Sequence, residues 1–337
     1  MMIKRRKTRV VKVGTVKIGG NNPVVIQSMT KTATSNVKKT VYEIRALEKE
    51  GCEIVRVAVK DLEAARAIKA IKRKIKIPLV ADIHFDARLA LEAIKAGADK
   101  IRINPGNISK PKDLKAIIKA AKYAKIPIRI GLNSGSLPRG AKFVPLALKY
   151  IKLFEKENFR DIIISLKSSD VREAVLAYKR LSALSRYPLH LGITAAGSYD
   201  TGIVKSSVGI GALLLDGIGD TIRVSLTGDP VTEVVAAKRI LQALGIRYFT
   251  PDVVSCPTCG RCQVDLGAIV KDLEARLPEG NITIAVMGCE VNGPGEAREA
   301  DIGIAFGKNS GILFKKGKVV KKVTVKNAVK ELLNALE

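Results

Sequence analysis

Eight times in the first 245 residues, a short run rich in β-branched residues is followed by an amphipathic stretch of helical period. The runs are Val24–Ser28, Ile54–Val59, Leu79–His84, Lys100–Asn104, Ile128–Asn133, Ile162–Lys167, Leu189–Thr194 and Thr221–Leu226. The stretches between them, such as "VKKTVYEIRALEKEG" and "DLEAARAIKAIKRK", place apolar residues at helical spacing, and several end in Gly or meet a Pro that opens the next run. Eight strands, each followed by a helix, close most simply into a (β/α)8 TIM-type barrel. An open doubly wound sheet is the competitor, but no GxGxxG follows the first run. A hairpin, "TRVVKVGTVKIGG", precedes the repeat.

The chain has 337 residues, long for one domain. Composition shifts near Tyr248, after the eighth unit. The remainder reads strand, cysteine loop and helix, then strand and ligand loop, then three strands and a closing helix. This predicts a barrel over residues 1–246 and a small α+β domain over 247–337.

In a barrel of this kind, chemistry sits at the C-terminal ends of the strands. Arg56 lies on the second run, Asp82 and His84 end the third, and Arg102 and Asn104 lie on the fourth. Arg129 and Asn133 lie on the fifth, Lys167 ends the sixth, Thr194 ends the seventh, and Arg223 and Ser225 lie on the eighth. Arg102 and Asn104 share one face by parity, as do Arg129 and Asn133. Cations converging at one height need partners, and few acidic residues lie in these runs. A phosphate or diphosphate substrate supplies the missing charge, and the arginine fork suits its oxygens. Ion pairs with loop carboxylates are the structural alternative for individual arginines. Neither histidine, His84 or His190, is assigned a role on sequence grounds.

The formal charge of +27 raises nucleic-acid binding. Against it, the lysines recur on the outer faces of helical stretches, aromatics are only 4% and Trp is absent, which leaves a poor base-stacking platform. No apolar run long enough to span a membrane occurs, and the basic N-terminus has no apolar signal core, so a cytoplasmic protein with no membrane or nucleic-acid partner is expected.

Three cysteines recur at every third residue in "SCPTCGRCQ", and a fourth lies in "MGCEVNGPGEA". A zinc ribbon needs two Cys-x-x-Cys pairs, and the second site has one cysteine and no histidine. Three clustered cysteines plus a distant one resemble an iron–sulfur set. Spacing alone gives Cys256, Cys259, Cys262 and Cys289, with Cys262 as a buried structural residue in the alternative reading. Cys52 reads as core.

These motifs taken in order, "VVIQSMT", "EIVRVAV", "ADIHF", "KIRINPGNI", "IRIGLNSGSL", "HLGIT", "GIGDTIRVSLTGDP", "SCPTCGR" and "MGCEVNGPGEAREADIGIA", closely resemble the 4-hydroxy-3-methylbut-2-enyl diphosphate synthase family in its two-domain bacterial form. The resemblance spans nearly the whole chain. It implies reductive ring opening and dehydration of 2-C-methyl-D-erythritol 2,4-cyclodiphosphate in the non-mevalonate isoprenoid pathway. It further implies a [4Fe–4S] cluster held by Cys256, Cys259, Cys289 and Glu296, with Cys262 spare. A carboxylate is a more exchangeable iron ligand than a thiolate, which gives Glu296 a catalytic part. The family's diphosphate-binding pattern falls on Arg56, Arg102, Arg129, Asn133, Lys167, Thr194 and Ser225, to which position adds Asn104. A homodimer and an electron donor, ferredoxin or flavodoxin, are implied as well.

One departure stands out. The family reads Thr-Glu-Ala-Gly where this chain reads "TAAG", so Ala195 occupies the place of a glutamate that handles protons. Acid–base help is worth about 10²–10⁴ in rate, and impaired turnover is expected unless another donor, such as Asp82, substitutes. Two other classes compete. A basic, metal-stabilised nucleic-acid-binding protein is disfavoured by the absent aromatics. A different diphosphate-handling barrel, such as a pterin-type synthase, leaves the cysteine domain unexplained.

Overall fold

The computed structural model describes residues 3–104, 106–108, 110–137, 140–291 and 293–336. The chain forms two compact units, Met1–Arg247 and Tyr248–Glu337.

The first unit opens with an antiparallel hairpin, β1 (Val11–Val13) and β2 (Val16–Ile18), in which Val11 faces Ile18. Eight parallel strands follow: β3 (Val25–Met29), β4 (Ile54–Val59), β5 (Leu79–Ile83), β6 (Lys100–Ile103), β7 (Ile128–Asn133), β8 (Ile162–Lys167), β9 (His190–Leu191) and β10 (Thr221–Ile222). Their spatial order is β8-β7-β6-β5-β4-β3-β10-β9, and a parallel bridge from Ile164 to Leu189 joins the two ends. A helix follows each strand: α1 (Val37–Lys49), α2 (Leu62–Lys72), α3 (Ala87–Lys95), α4 (Pro111–Ala124), α5 (Phe143–Lys156), α6 (Val171–Leu184), α7 (Tyr199–Leu215) and α8 (Pro230–Ala243). The helices start where short polar side chains satisfy free N–H groups. Asn36, Asp61, Asp86, Asp170 and Asp229 cap α1, α2, α3, α6 and α8 in this way.

The barrel interior is layered. Val25, Ile54, Val80 and Ile163, at the starts of their strands, pack with Val11, Val13 and Ile18 of the hairpin. This apolar plug fills the N-terminal end. Two residues further along the same strands, the inward face turns polar with Gln27, Arg56, Asp82 and Ser165, as the period of 2 requires. The last two barrel strands are shorter than the alternation predicts. The chain leaves β9 at Gly192, whose φ of +155° few other residues adopt.

The second unit carries β11 (Asp252–Ser255), α9 (Leu266–Arg276), β12 (Thr283–Met287), α10 (Gly293–Glu299), β13 (Ile302–Phe306), β14 (Ser310–Lys315), β15 (Lys318–Thr324) and α11 (Ala328–Asn334). Its sheet runs in sequence order, with β11, β12 and β13 parallel and β14 and β15 antiparallel to their neighbours. One face buries Ile284, Val286, Ile304, Phe306, Leu313 and Val323 with Leu273 of α9 and Leu332 of α11. The opposite face buries Ala285, Met287, Ala305 and Phe314 with Ala297 of α10. Helix α10 corrects the sequence reading of that stretch as a loop. Gly-Pro-Gly reads as a breaker, yet Pro294 stands near the helix start, where its missing N–H costs nothing, and Glu296 lies in the first turn. Among the described residues, no helix is long and apolar enough to cross a membrane.

Candidate functional site

Strand parity turns most of the expected cations into the barrel interior at different heights, Arg129 level with Ile163 and Lys167 four residues further along. Register sets Arg56 beside Val80, Asp82 beside Arg102, Arg102 beside Arg129, and Asn133 beside Lys167. Arg56, Asp82, Arg102, Asn104, Arg129 and Lys167 are all buried. Gly131 makes room for this crowding, since a Cβ there would lie 2.5 Å from Arg102 Nε.

The cations divide into two groups. In the first, carboxylates do the neutralising. Arg102 Nη1 donates to Asp82 Oδ1 at 3.0 Å, and Arg56 Nε lies 3.6 Å from Asp82 Oδ2. Arg223 meets Glu233 of α8 through Nη2 at 3.1 Å and Nε at 3.3 Å. Glu233 is itself buried and also accepts from Ser28 Oγ and the Leu226 N–H. The structural alternative weighed for single arginines therefore holds for Arg56, Arg102 and Arg223, although one carboxylate comes from a strand and the other from a helix.

The second group is Arg129 and Lys167. Among the described residues, neither has a carboxylate partner, and Arg129 Nε and Nη1 are buried with no hydrogen bond. Lys167 Nζ packs against Gly192, 2.6 Å from where a Cβ would stand. Burial first, and the neighbouring cations next, push both groups well below their ordinary pKa range. The same causes bring Arg56 down to about 10, with Asp82 working in the opposite direction. Among the described residues, the barrel interior therefore has three buried cations without a carboxylate partner, Arg129, Lys167 and Lys100, whose Nζ donates to Gln27 Oε1 at 3.3 Å, and such unmet charge suits an anion.

Asp82 has a defined part. Burial alone would raise its pKa, but Arg56 and Arg102 outweigh burial and hold it well below the usual carboxylate range. It stays ionised and orients the two arginines, so it is a poor proton donor at neutral pH. The reading that gave it the role of substitute acid does not fit this environment.

The surrounding loops form a cleft of about 320 Å³ lined by His84, Asn104, Asn133, Ser136, Thr194 and Ala195. Asn104 spends both ends of its amide on the loops, donating to Ser136 Oγ at 2.6 Å and accepting from the Gly106 N–H at 3.1 Å. With its amide turned to satisfy both ends, Asn133 accepts from Arg102 Nη2 at 3.2 Å. Thr194 is half-buried on the cleft wall and Ser225 is half-buried after β10. Ala195 is exposed and holds φ at +49°, a left-handed conformation that disfavours any residue with a Cβ. His84, given no role from sequence, lines the cleft and lies 3.2 Å from Arg102 Nη1 and 3.5 Å from Asp82 Oδ2. Its place at the end of an inward-facing run was the available signal. Glu233 carried none, because a carboxylate on an outer helix reads as a surface residue.

The second unit builds its candidate metal centre at two strand ends. The parallel strands β11 and β12 finish side by side, with Ser255 opposite Val286, so Cys256 and the Gly288–Cys289 pair emerge together. The Gly288 N–H donates to Cys256 Sγ at 3.3 Å, and the Cys262 N–H donates to Cys259 O at 2.8 Å. Cys289 is buried, Cys256 and Cys262 are half-buried, and Cys259 is exposed. Cys262 Sγ donates to Val264 O at 3.3 Å and packs on the core beneath α9. Glu296 is exposed on the first turn of α10. Among the described residues, no three of these groups converge closely enough to hold a metal ion as they stand. The donor set nonetheless fits an iron–sulfur group, with soft thiolates on adjacent loops and an amide already aimed at one sulfur.

Gly288 is the tight point of this centre. A Cβ there would collide with Cys262 Sγ and stand 3.5 Å from Cys256 Sγ. Gly288→Ala is expected to destabilise the second unit by about 1–3 kcal/mol and to lower its iron content after reconstitution. Gly260→Ala, where a Cβ meets nothing within 4 Å, is expected to change neither. Thermal unfolding and iron assay of the two variants check this.

Comparison with known proteins follows the same division. Residues 8–238 match the family described as GcpE TIM-barrel domain, and residues 252–337 match the GcpE protein C-terminal domain. A protein of Fusobacterium nucleatum is 55% identical, with 97% of this chain and 96% of that protein covered. One from Caldanaerobacter subterraneus is 54% identical over 100% of this chain and 98% of its own length, and one from Clostridium perfringens is 53% identical over 99% of each. All three are named 4-hydroxy-3-methylbut-2-en-1-yl diphosphate synthase (flavodoxin). Among solved structures, dihydropteroate synthase from Stenotrophomonas maltophilia superposes with a TM-score of 0.54 at 14% identity, covering 71% of this chain and 98% of its own. N-acetylneuraminic acid synthetase from Leptospira borgpetersenii gives 0.54 at 14% identity, covering 81% and 98%. At that identity the likeness speaks for the barrel fold alone.

Proposed function

This chain belongs to the GcpE family, and from that premise we propose how its two units divide the work: the barrel mouth holds a cyclic diphosphate and the second unit holds the redox group that reduces it. The activity is that of the family, reductive formation of 4-hydroxy-3-methylbut-2-en-1-yl diphosphate for isoprenoid biosynthesis. Nothing in the comparisons supports the nucleic-acid-binding alternative. The substrate, 2-C-methyl-D-erythritol 2,4-cyclodiphosphate, takes up two electrons and two protons, opens its ring and loses one water.

The observation that carries the substrate assignment is the pair of buried, unmatched cations, Arg129 and Lys167. Arg56 and Arg102, fixed by Asp82, shape the neighbouring wall, and Asn133 is held against Arg102. Thr194 and Ser225 offer hydroxyls at the rim. Asn104 positions the loops and leaves the anion to others.

In the second unit, Cys256, Cys259, Cys289 and Glu296 are the residues proposed to hold a [4Fe–4S] cluster. When bound, that cluster would relay the two electrons, one at a time, from the external donor. Cys262 is proposed as a structural residue, consistent with its bond to Val264 O. Cys262→Ser should keep the iron content and visible absorbance, whereas Glu296→Ala should lower one or both. The reverse pattern would restore a plain four-cysteine site. The electron donor is proposed to be of the flavodoxin class that the relatives' names carry, and the active form a homodimer, to be checked by sedimentation.

The reading is tested by reconstituting the protein with iron and sulfide without oxygen and supplying dithionite. Consumption of the cyclodiphosphate with appearance of the linear allylic diphosphate is expected. A colourless protein that retains zinc would overturn the cluster assignment.

A further inference from the structure

The second unit has a surface that neither the cluster site nor the unit's own packing explains. Helix α10 covers Ala305 and Phe314 on its face of the sheet, and Arg298 lies over the Phe314 ring at 5.6 Å. Beyond α10, the outer part of that face is left open. Ile312, paired with Lys322 in register, is 42% exposed. Val319, paired with Phe314, is 60% exposed, and Val320 at the adjoining register shift is 51% exposed.

These side chains border a cleft of about 340 Å³ whose lining includes Glu290, Pro294, Gly307, Ile312, Val319 and Lys322. Glu290 directly follows Cys289 and reaches Gly307, with Oε2 3.2 Å from where a Cβ would stand. The cleft is therefore continuous with the loop that carries the cluster ligands.

Charge on this part of the unit is one-sided. The stretch from Lys308 to Lys326 contains seven lysines and no acidic residue, although the unit as a whole is rich in both signs. All seven lysines are exposed. Lys321 is taken by Glu331 of α11, on the other face. An edge strand carries lysines to prevent pairing with other sheets, which accounts for charge on β15. It does not account for an apolar cleft beside that charge and against a ligand loop. A few apolar residues ringed by lysines suit a small, transient interface with an acidic partner, in which charge steers encounter and the apolar centre provides contact.

We propose that this surface of β14 and β15 is the docking site for the acidic, flavin-carrying electron donor. The proposal rests on the reading of the second unit as the cluster-bearing unit, because electron transfer falls steeply with distance and the cleft adjoins the ligand loop. Lys322, which lines the cleft, steers the donor, and Ile312 and Val319 receive its apolar contact.

The test titrates oxidised holo-flavodoxin into the iron-reconstituted full-length protein by calorimetry at low and high salt. The unaltered protein is expected to bind, with affinity falling as salt rises. The Lys322→Glu variant should bind about tenfold more weakly, and the Lys322→Met variant should fall between. Melting temperature and visible absorbance should be unchanged in both. A control reversal on the barrel surface, Lys39→Glu with Lys74→Glu, should leave binding intact. The proposal is overturned if the β15 reversal binds as tightly as the unaltered protein, if the barrel control weakens binding equally, or if no binding is seen. It is also overturned if the β15 reversal dissociates a dimer while donor binding is unchanged, which would make this face a contact between copies. Dithionite-driven conversion needs no protein donor, so its failure would sink the functional reading and leave the binding result to stand by itself.

Discussion

Arg129→Met is expected to weaken binding of the cyclodiphosphate by about thirtyfold or more, and at the same time to raise the melting temperature of the ligand-free protein. The two effects have one cause. Arg129 is fully buried, and among the described residues its Nε and Nη1 have no hydrogen-bond partner. Its charge is sustained at a cost, which its depressed pKa registers. Replacing an unmatched buried cation by an apolar side chain of similar length removes that cost, and such exchanges stabilise by about 1–4 kcal/mol. Removing one partner of a buried, hydrogen-bonded charge pair costs about 2–5 kcal/mol in affinity. Arg223→Met separates this account from a general dislike of buried arginine. Arg223 is matched by Glu233, so its loss leaves that buried carboxylate with only Lys31 Nζ, 3.4 Å away, as a cation among the described residues and should lower the melting temperature. Calorimetric titration and thermal unfolding of both variants read out the four numbers. If Arg129→Met destabilises as Arg223→Met does, the unmatched-cation account is wrong.

The second large effect belongs to Ala195. Ala195→Glu is expected to raise kcat by about 10²–10⁴, the usual worth of a positioned acid or base, with little change in KM. Ala195 lines the cleft with His84, Asn133 and Thr194, so a carboxyl group there would face the bound substrate. Among the described residues, the lining of that cleft holds no carboxyl group, and His84 is its titratable side chain. Asp82 lies between Arg56 and Arg102 and is held ionised, so it cannot stand in. Backbone strain is a separate matter, since φ at Ala195 is +49°. Ala195→Gly should stabilise the barrel by about 1 kcal/mol and leave turnover unchanged. If glycine accelerates turnover as much as glutamate does, the effect is relief of strain, and the proton role assigned to this position fails.

Much of the barrel could be read in the chain because strand alternation and helix period are local signals. Each inward cation announced itself by parity with its neighbours, as Arg102 does with Asn104. The hairpin was legible for the same reason, since "VVKVGTVKI" alternates, whereas its packing as a plug on the starts of the strands was not. What stayed hidden depends on contacts between distant segments. Glu233 is ten residues from Arg223 on an outer helix, and only the closed barrel shows that it is buried and points at that arginine. Asp82 looked like an available acid until the two guanidinium groups around it were in place. Helix α10 was masked by Gly-Pro-Gly, a combination that breaks helices in isolation but here starts one packed on Met287 and Ala305. The spacing of the cysteines named a set of four, and the fold brings Cys256 and Cys262 together beside Gly288 and on the same core, so position alone does not set Cys262 apart.

The central proposal is that Arg129 and Lys167 bind the diphosphate and that the second unit holds an iron–sulfur cluster that takes part in reducing it. Electron paramagnetic resonance of the dithionite-reduced, reconstituted protein tests it directly, recorded with and without the cyclodiphosphate. The account predicts a cluster signal that changes when the cyclodiphosphate is added, and the loss of that change in Arg129→Met at the same concentration. A protein with no such signal, or one whose signal is indifferent to the cyclodiphosphate, would contradict it.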